Sequence, residues 1–528
     1  MPLQAPYYPI VFIRGFAMRD SDIIDAANSV YQGFEASSTR QRRDSGPVRS
    51  PIFFESPVLR LMKDHGYDDS FRDNSYGYQS PARAQARSLW VHRYYDQDEP
   101  AFGDGQLHPM EAYALGLRRT ILNIRDKMVA DGTTTEEDFK VHLVAHSMGG
   151  LVARCYLQNI CARPPVVVQD PRLELPTAGP VNSYVSRFFT YATPHNGIEV
   201  LGGNVPNFGP TAFNQIGVFN RTEMARFLRL PPGEAVNDIE PALDPDQVFC
   251  LIGTDYPDYD IDVSKWATGG PGDGLVLCKN AYTLGSPRAF VRRAHGGPYG
   301  IVNSEEGYQN LRRFLFGDWR VDVQVTFDEV DVPDPVAAQI AGGDTVTGNF
   351  RTDVIVSVRG EEVMLHERRD VTESAITFTQ VYKAAVNNSP VPVINAADAD
   401  LSSKVASIYL MSQAISDPVD PDSTAMVFAL SLAIDAPSFK SDRFLFPPTF
   451  AGFKVLQETF QIAIDPVAGE VRYAIASVDG QVPPNRPLSE VVGNLAGGTF
   501  AGEIPFGPAP PLKSGQARGH ITISVTPN

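Results

Sequence analysis

The chain has 528 residues, which is more than one hydrophobic core usually serves, so its length predicts two or three domains. Hydrophobic residues make up 43% of the sequence and charged residues 20%, the composition of an ordinary soluble globular protein. The net charge of −17 disfavours nucleic acid and anionic membrane surfaces as partners.

Targeting signals and cysteine chemistry are both inconspicuous in this sequence. No apolar run is long enough to predict a transmembrane segment, and no basic stretch followed by an apolar core predicts a signal peptide. The four cysteines (Cys155, Cys161, Cys250 and Cys278) have neither zinc nor redox spacing. Since reduced thiols are the simplest account of them, we expect a cytoplasmic protein, or one exported without a cleaved signal peptide.

The first elements alternate between strands and helices. The apolar run 8–13 predicts a buried parallel strand that ends in the loop Arg14-Gly15-Phe16. Helical patterns cover residues 56–65 and 108–128, and a short strand pattern between them covers residues 89–92. Because strands that alternate with helices form parallel sheets covered on both faces, we predict an α/β domain.

A serine follows the next predicted strand in a tight turn. The apolar residues 141–145 run into His146-Ser147-Met148-Gly149-Gly150, and a helix-like segment follows at 151–160. This is the G-x-S-x-G pattern with Ala145 in place of the first glycine. Ala145 and Gly149 relieve the crowding of so tight a turn, which leaves the Ser147 hydroxyl pointing out of the sheet.

Residues 145–150 (AHSMGG) resemble the nucleophile elbow of bacterial lipases and esterases with the α/β-hydrolase fold. The resemblance implies that Ser147 is the nucleophile and that two backbone N–H groups, those of Met148 and Phe16, form the oxyanion hole. Arg14 stands where that family usually has histidine. Because the oxyanion donor is a backbone group, an arginine in place of the histidine need not abolish the oxyanion hole. The role of the Arg14 side chain stays open.

The same resemblance implies that an acid and then a base follow the serine along the chain. His295, in the glycine-rich loop 294–300, is the candidate base, and Asp273, in the Asp-Gly-Leu-Val loop, is the candidate acid. Asp255, which closely follows the apolar strand 248–253, is the alternative acid. His195, in Thr193-Pro194-His195-Asn196-Gly197, resembles a loop-shaping histidine of these lipases and not their base.

The stretch 199–230 is too apolar for a plain exposed connection. By resemblance, insertions at this place form lids or acyl pockets, so we expect a lid-like insertion over about residues 199–245, with Phe213 and Phe219 contacting an acyl chain. A helical cap that only packs is the alternative. The acidic loop of Asp258, Asp260 and Asp262 offers oxygen ligands of the kind that Ca²⁺ prefers, but it lacks full EF-hand spacing. We therefore expect a solvated loop and no metal site, with a bound cation as the alternative.

The hydrophobic period changes to two after residue 317. Successive runs each have one continuous apolar face, as in Val321, Val323 and Val325, and proline- and glycine-rich turns separate them. We therefore predict an α/β-hydrolase catalytic domain over residues 1–317, with a mostly parallel central sheet. An antiparallel β-sandwich of about seven to nine strands and unknown role then covers residues 318–528.

The resemblance implies a serine hydrolase that cleaves carboxylic esters, a lipase or esterase, through a Ser147-His295-Asp273 triad and an acyl-enzyme. It needs no cofactor, and its partner is an ester or lipid substrate. One alternative is a phospholipase or lipid acyltransferase that uses the same triad. The other is a non-catalytic hydrolase-like scaffold whose β-sandwich binds a ligand. The natural substrate, its acyl-chain length and the oligomeric state do not follow from the sequence.

Overall fold

The computed structural model divides the chain into two compact units, Met1–Phe316 and Gly317–Asn528. The residues that it describes are 3–15, 31–36, 38–43, 49–69, 85–96, 98, 104–162, 181–200, 203–204, 214–258, 271–297, 299–330, 332–361, 363–382, 393–394, 404–412, 423–441, 449–476, 490–495, 498–508 and 516–528.

A seven-stranded sheet forms the centre of the first unit, with the strand order β11-β10-β7-β6-β1-β5-β4. Every neighbouring pair in it is parallel. Strands buried on both faces read as continuous apolar runs, which explains sequences such as IVFI in β1 and VFCLIG in β10. The strands of this sheet are β1 (Ile10–Ile13), β4 (Asp68–Asp69), β5 (Ser88–His92), β6 (Val141–His146), β7 (Val185–Tyr191), β10 (Val248–Gly253) and β11 (Arg288–Val291).

Among the described residues of the first unit, two small hairpins lie outside the central sheet. They are formed by β2 (Ser38–Arg43) with β3 (Arg49–Phe54), and by β8 (Glu199–Val200) with β9 (Gly203–Asn204).

Five α-helices belong to the described part of the first unit. The first begins after the Ser56 side chain, which accepts a hydrogen bond from the Leu59 N–H, and ends at Gly66 in the left-handed conformation. The helix predicted over 151–160 begins earlier, at Met148, and changes to a π-helix over Cys155–Cys161. The five helices are α1 (Pro57–His65), α2 (Met110–Ala130), α3 (Met148–Arg154), α4 (Arg221–Leu228) and α5 (Glu305–Phe316).

The second unit contains two antiparallel sheets that share one hydrophobic core. Sheets of four and eight strands contribute alternate residues to this core, for example Val321 and Val323 from one and Leu430 and Leu432 from the other. The expectation of seven to nine strands was therefore too low. The strand Phe500–Phe506 contains Pro505 and lies at the edge of its sheet, where a missing N–H is tolerated.

The four-stranded sheet has the order β17-β12-β23-β22, and the larger sheet follows β16-β15-β13-β18-β19-β20-β21, with β14 also paired to β13. A helix, α6 (Asp334–Ala341), connects β12 to β13. The strands are β12 (Trp319–Val330), β13 (Val346–Val358), β14 (Met364–Arg368), β15 (Ile376–Tyr382), β16 (Val393–Ile394), β17 (Lys404–Leu410), β18 (Met426–Ser441), β19 (Thr449–Asp465), β20 (Glu470–Ala476), β21 (Glu490–Asn494), β22 (Phe500–Phe506) and β23 (Ala517–Pro527).

None of the helices in the described ranges combines the length and the apolarity that crossing a bilayer requires. The four cysteines are all buried thiols of the first unit. Burial raises the pKa of Cys155 well above its usual value and that of Cys161 to about 12, so both are protonated at neutral pH.

Candidate active site

Ser147 lies in the turn between β6 and α3, with φ +52° and ψ −124°. A positive φ is uncommon for a residue with a side chain and persists only where surrounding structure holds it. Here the Ser147 N–H donates to the Tyr191 carbonyl of the neighbouring strand (2.9 Å), and its carbonyl accepts from the Gly150 N–H (3.0 Å). The turn therefore holds the hydroxyl at the carboxyl end of the sheet.

Small residues make this turn possible. A Cβ on Gly150 would lie 2.8 Å from the Cβ of Thr193, and a Cβ on Gly15 would lie 2.8 Å from the Cβ of Ser147. Real Cβ atoms do not approach so closely, so both positions need glycine. The loop after β1 and the loop after β7 thus both close on the serine.

Three of the predicted site residues come together at this turn. The Ser147 Oγ lies 2.9 Å from the Nε2 of His295, and the His295 Nδ1 lies 2.8 Å from the Oδ2 of Asp273. All three are buried, with exposed fractions of 2% for Ser147, 4% for His295 and 1% for Asp273. A hydroxyl, an imidazole and a carboxylate from three different loops thus form one continuous hydrogen-bonded series.

Backbone groups fix the orientation of the Asp273 carboxylate. Its Oδ1 accepts from the N–H groups of Leu275 (3.0 Å) and Val276 (2.8 Å), which leaves Oδ2 facing the imidazole. The Asp273 carbonyl also accepts from the His295 N–H (2.9 Å). The alternative acid, Asp255, follows β10, where its N–H donates to the Arg293 carbonyl, while the carboxylate bonded to the His295 Nδ1 is that of Asp273.

One of the two predicted oxyanion donors lies within the described residues. Met148 is buried and opens helix α3, where the first backbone N–H groups have no intrahelical partner. Phe16 lies outside the described residues, which end at Gly15 in this loop.

Tyr94 is a residue of this region that the sequence interpretation missed. It is fully buried beyond the end of β5, and its hydroxyl donates to the carbonyls of Arg14 (2.9 Å) and Gly15 (3.2 Å). Burial raises the pKa of Tyr94 well above 10.0, so the hydroxyl keeps the proton that it donates. Since β5 pairs with β1, a polar aromatic residue just after β5 was the available signal.

The Arg14 side chain, whose role the sequence left open, makes a hydrogen bond to the main chain of another segment. Its Nη1 donates to the carbonyl of Gln32 at 3.0 Å, which ties the loop after β1 to residues 31–36. Arg14 therefore contributes to holding this loop through a main-chain contact.

His195 is fully buried, and its Nε2 lies 3.2 Å from the Thr190 hydroxyl oxygen. Burial and the nearby Arg154 guanidinium lower the pKa of His195 well below its usual value. Its carbonyl accepts from the Arg154 Nη1 at 2.8 Å. These contacts fit a residue that shapes its loop, while the imidazole bonded to Ser147 is that of His295.

The described part of the predicted lid is firmly packed. Helix α4 buries Met224, Phe227 and Leu228, and the Phe227 carbonyl accepts hydrogen bonds from the Asn159 amide (2.9 Å) and the Cys155 thiol (3.4 Å). Phe219 is only 2% exposed. Phe213, like residues 205–213 as a whole, lies outside the described residues.

No cluster of three or more histidine, cysteine, aspartate or glutamate side chains with the arrangement of a metal site occurs in the described ranges. Asp260 and Asp262 of the acidic loop lie outside those ranges.

The all-parallel sheet, with the serine turn after its central strand β6, is the α/β-hydrolase fold, and the antiparallel sheets follow it. The predicted fold class is thus confirmed. No protein-family model and no curated protein matches the sequence.

Several solved structures are similar to this chain. They include the lipase BlEst2 of Bacillus licheniformis (15% identity, 59% of this chain and 92% of that chain, TM-score 0.31). EstA of Clostridium botulinum matches at 13% identity, over 58% of this chain and 87% of its own, with a TM-score of 0.27. The phospholipase PlaB of Legionella pneumophila matches at 10% identity, over 92% of this chain and 100% of its own, with a TM-score of 0.31.

Proposed function

We propose that this protein is a serine hydrolase that cleaves carboxylic esters, of lipase or esterase type. The observation that carries the proposal is the hydrogen-bonded series from the Ser147 hydroxyl through the His295 imidazole to the Asp273 carboxylate. Its members are 148 and 22 residues apart along the chain, and they meet at the carboxyl end of the sheet. This is the arrangement that activates a serine for acyl transfer.

In the proposed reaction the Ser147 Oγ attacks the acyl carbonyl while the His295 Nε2 takes the hydroxyl proton. The imidazolium then gives this proton to the leaving alcohol, and an acyl-enzyme remains on Ser147. A water molecule, deprotonated by the same imidazole, attacks the acyl carbon and releases the acid. The serine recovers its proton from the imidazolium, so the enzyme returns to its starting state.

The environment of Asp273 suits its proposed role. Its carboxylate accepts two backbone hydrogen bonds besides the one from His295, and these bonds fix its orientation toward the imidazole. A buried anion beside Nδ1 fixes the imidazole tautomer with the proton on Nδ1, which leaves the Nε2 lone pair for the serine proton. It also stabilises the imidazolium that forms during attack.

The tetrahedral intermediate carries its charge on the former carbonyl oxygen, and fixed N–H donors lower the energy of that state. The N–H of Met148 is the first proposed donor, since it directly follows the nucleophile at the start of α3. The N–H of Phe16 is the second, on the family resemblance alone. The hydrogen bonds from Tyr94 to the carbonyls of Arg14 and Gly15 support the proposal, because they would hold the loop that leads to Phe16 in a fixed position.

The proposed substrate is an ester with an apolar acyl group, and the proposed acyl contacts are Phe213 and Phe219. Replacing each phenylalanine by serine tests this part of the proposal. A changed preference for acyl-chain length supports an acyl pocket, whereas an unchanged preference assigns these residues to packing.

Hydrolysis of a p-nitrophenyl ester series, from acetate to palmitate, tests the main proposal. We expect release of p-nitrophenol by the wild type and its loss in Ser147→Ala. A fluorophosphonate probe should label the wild type at Ser147 and leave the variant unmodified. A wild type that neither hydrolyses any ester nor reacts with the probe would be a non-catalytic scaffold.

Added alcohol or lysophospholipid in the same assay, with analysis of the acylated products, separates hydrolysis from acyl transfer. A phospholipid substrate with its released fatty acid measured separates a phospholipase from an esterase. The same three residues would serve each reaction, so only the acceptor and the headgroup differ.

A further inference from the structure

His146, the last residue of β6, lies against the main chain of the loop that carries His295. Its Nε2 is 2.9 Å from the His295 carbonyl oxygen, and the two imidazole rings have centroids 5.0 Å apart. A carbonyl oxygen only accepts hydrogen bonds. The His146 Nε2 therefore carries the proton and donates it.

We propose that His146 is a positioning residue, whose Nε2–H ties the main chain of His295 to the elbow strand and so keeps the base aligned with Ser147. This inference rests on the proposed function. His146 directly precedes the proposed nucleophile Ser147, and it donates a hydrogen bond to His295, the residue that would deprotonate Ser147.

The two peptide groups that flank the Cα of His295 are then each held by one hydrogen bond. Its N–H donates to the Asp273 carbonyl at 2.9 Å, and its carbonyl accepts from His146 at 2.9 Å. The acid loop thus anchors one side of the base, and the elbow strand anchors the other. The His295 backbone is therefore bonded to the Asp273 loop and to the end of β6. Its side chain bonds to residues of the same two segments, Asp273 and Ser147.

Such anchoring matters because His295 lies outside the sheet. Strand β11 ends at Val291, and the loop that follows contains Gly296, Gly297 and Gly300, with Gly297 at φ +78°. Glycine gives a loop more backbone freedom than other residues. A displacement of about 1 Å in a reacting group costs about 100-fold in rate, so a loop of this kind needs fixed points.

The protonation state of His146 is compatible with this role. Burial, and after it the neighbouring His295, lower the pKa of His146 to about 3. His146 is therefore neutral at the pH at which His295 would act. A second cation at this distance would oppose formation of the His295 imidazolium, and a neutral donor avoids that repulsion.

The loop after β1 confines the other edge of the His146 ring. A Cβ on Gly15 would lie 2.9 Å from the His146 Nδ1 and 2.8 Å from the Ser147 Cβ. The ring thus borders the loop that carries the predicted oxyanion donor on one edge and the loop that carries the base on another.

Three variants test the proposal in the full chain. The amide nitrogen of His146→Gln can take the place of Nε2 and donate to the carbonyl. The amide nitrogen of His146→Asn corresponds in position to Nδ1, so it is too far from the His295 carbonyl to donate to it. His146→Leu has a side chain of similar size and no hydrogen-bond donor. We expect kcat for p-nitrophenyl butyrate to fall about 10- to 100-fold in the asparagine and leucine variants, with KM within about twofold of the wild type. The glutamine variant should keep kcat within about threefold.

Melting temperatures and the rate of fluorophosphonate labelling are measured for the same proteins. If the leucine variant does not fold, the comparison of glutamine with asparagine carries the test. A leucine or asparagine variant with wild-type kcat overturns the proposal, as does a glutamine variant as slow as leucine. Failure of all three to fold would make His146 a folding residue and would also overturn it.

Failure of the proposed function has a different signature. In that case the wild type shows no activity that Ser147→Ala abolishes and no labelling, and the positioning role falls with it. If the wild type is active, Ser147→Ala is inactive and His146→Leu equals the wild type, only the role of His146 is wrong.

Discussion

The carbonyl of Ile13 lies against Gly149 so closely that a Cβ on the glycine would sit 2.8 Å from the carbonyl carbon and nearer still to its oxygen. The Arg14 carbonyl is similarly close. Strands β1 and β6 are neighbours, and this contact lies where the loop after β1 meets the turn that holds Ser147. The distance between those two loops therefore depends on the absence of one methyl group.

Replacing Gly149 by alanine should separate the two loops. The added methyl forces the backbone of residues 13–14 to move, and we expect a stability loss of about 1–3 kcal/mol together with at least about a 100-fold fall in kcat. Thermal unfolding and ester hydrolysis measure the two effects. Gly132→Ala is the control, because nothing lies within 4 Å of a Cβ there, and its φ of +68° costs only about 1–2 kcal/mol. A Gly149→Ala enzyme as active as the control would show that this contact does not govern the site.

Asp273→Asn should lower kcat by about 10⁴-fold, because an amide cannot hold the His295 tautomer that accepts the serine proton. Asp255→Asn is the matched control, since its carboxylate follows β10 and the His295 Nδ1 is bonded to Asp273. We expect it to keep most of the activity. Steady-state hydrolysis of a short ester by both variants decides the assignment, and a larger loss in Asp255→Asn would make Asp255 the acid.

The three residues of the series were accessible to sequence reasoning because each lies in a short, local motif. Ser147 sits in a strand-turn-helix pattern, and Asp273 and His295 sit in loops whose sequences resemble known ones. The structure brings these residues together, and their catalytic roles stay predictions. The fold class followed from the alternation of strands and helices and from the later change to period two, and the structure confirms it.

What the sequence concealed depends on contacts between distant segments or on residues that contradict local rules. The Tyr94 hydroxyl donates to a carbonyl 80 residues earlier in the chain, and the sequence around Tyr94 does not show which segment it contacts. Helix α6 begins in a Pro-Asp-Pro sequence, which by composition is typical of a turn, although proline is tolerated in the first turn of a helix. Strand β22 contains Gly502 and Pro505, two residue types that are depleted in strands, so its sequence does not predict one.

Tyr94→Phe should weaken the support of the loop after β1. The loss of one hydroxyl leaves the part-buried Arg14 carbonyl and the buried Gly15 carbonyl without this donor, which costs about 1–3 kcal/mol of stability. If this loop carries an oxyanion donor, kcat should also fall about 10-fold at unchanged KM.

Tyr156→Phe is the control for that experiment. Tyr156 is equally buried, and its hydroxyl donates to the Ser183 carbonyl at 2.6 Å. A similar stability loss with unchanged kcat is expected for it. Equal kcat values in the two variants would contradict a specific role of Tyr94.

His92 should make the first unit less stable in mild acid. Burial lowers its pKa from 6.5 to about 4. Between these values the unfolded chain binds a proton that the folded chain excludes, so this stability is present above pH 6.5 and is lost as the pH falls toward 4. The loss is about 1.4 kcal/mol per pH unit, or about 3 kcal/mol over the window.

Urea unfolding at about pH 7.5 and about pH 4.5 measures this effect in the wild type and in His92→Gln. Glutamine does not titrate and can still donate to the Tyr113 carbonyl, which the His92 Nε2 contacts at 2.9 Å. The variant should lose less stability on acidification than the wild type. Equal losses would assign the acid sensitivity to other groups.

Because all four cysteines are buried, their reaction with a thiol reagent reports on opening of the folded chain. A thiol reagent needs the thiolate, which burial suppresses, so its rate of reaction with the native protein measures how often the first unit opens. Because no cysteine follows Cys278, the second unit is silent in such an experiment. The Cys155 Sγ contacts the Phe227 carbonyl of α4. The rate of alkylation of Cys155 would therefore measure how often α4 separates from the rest of the unit, and so whether this cap moves.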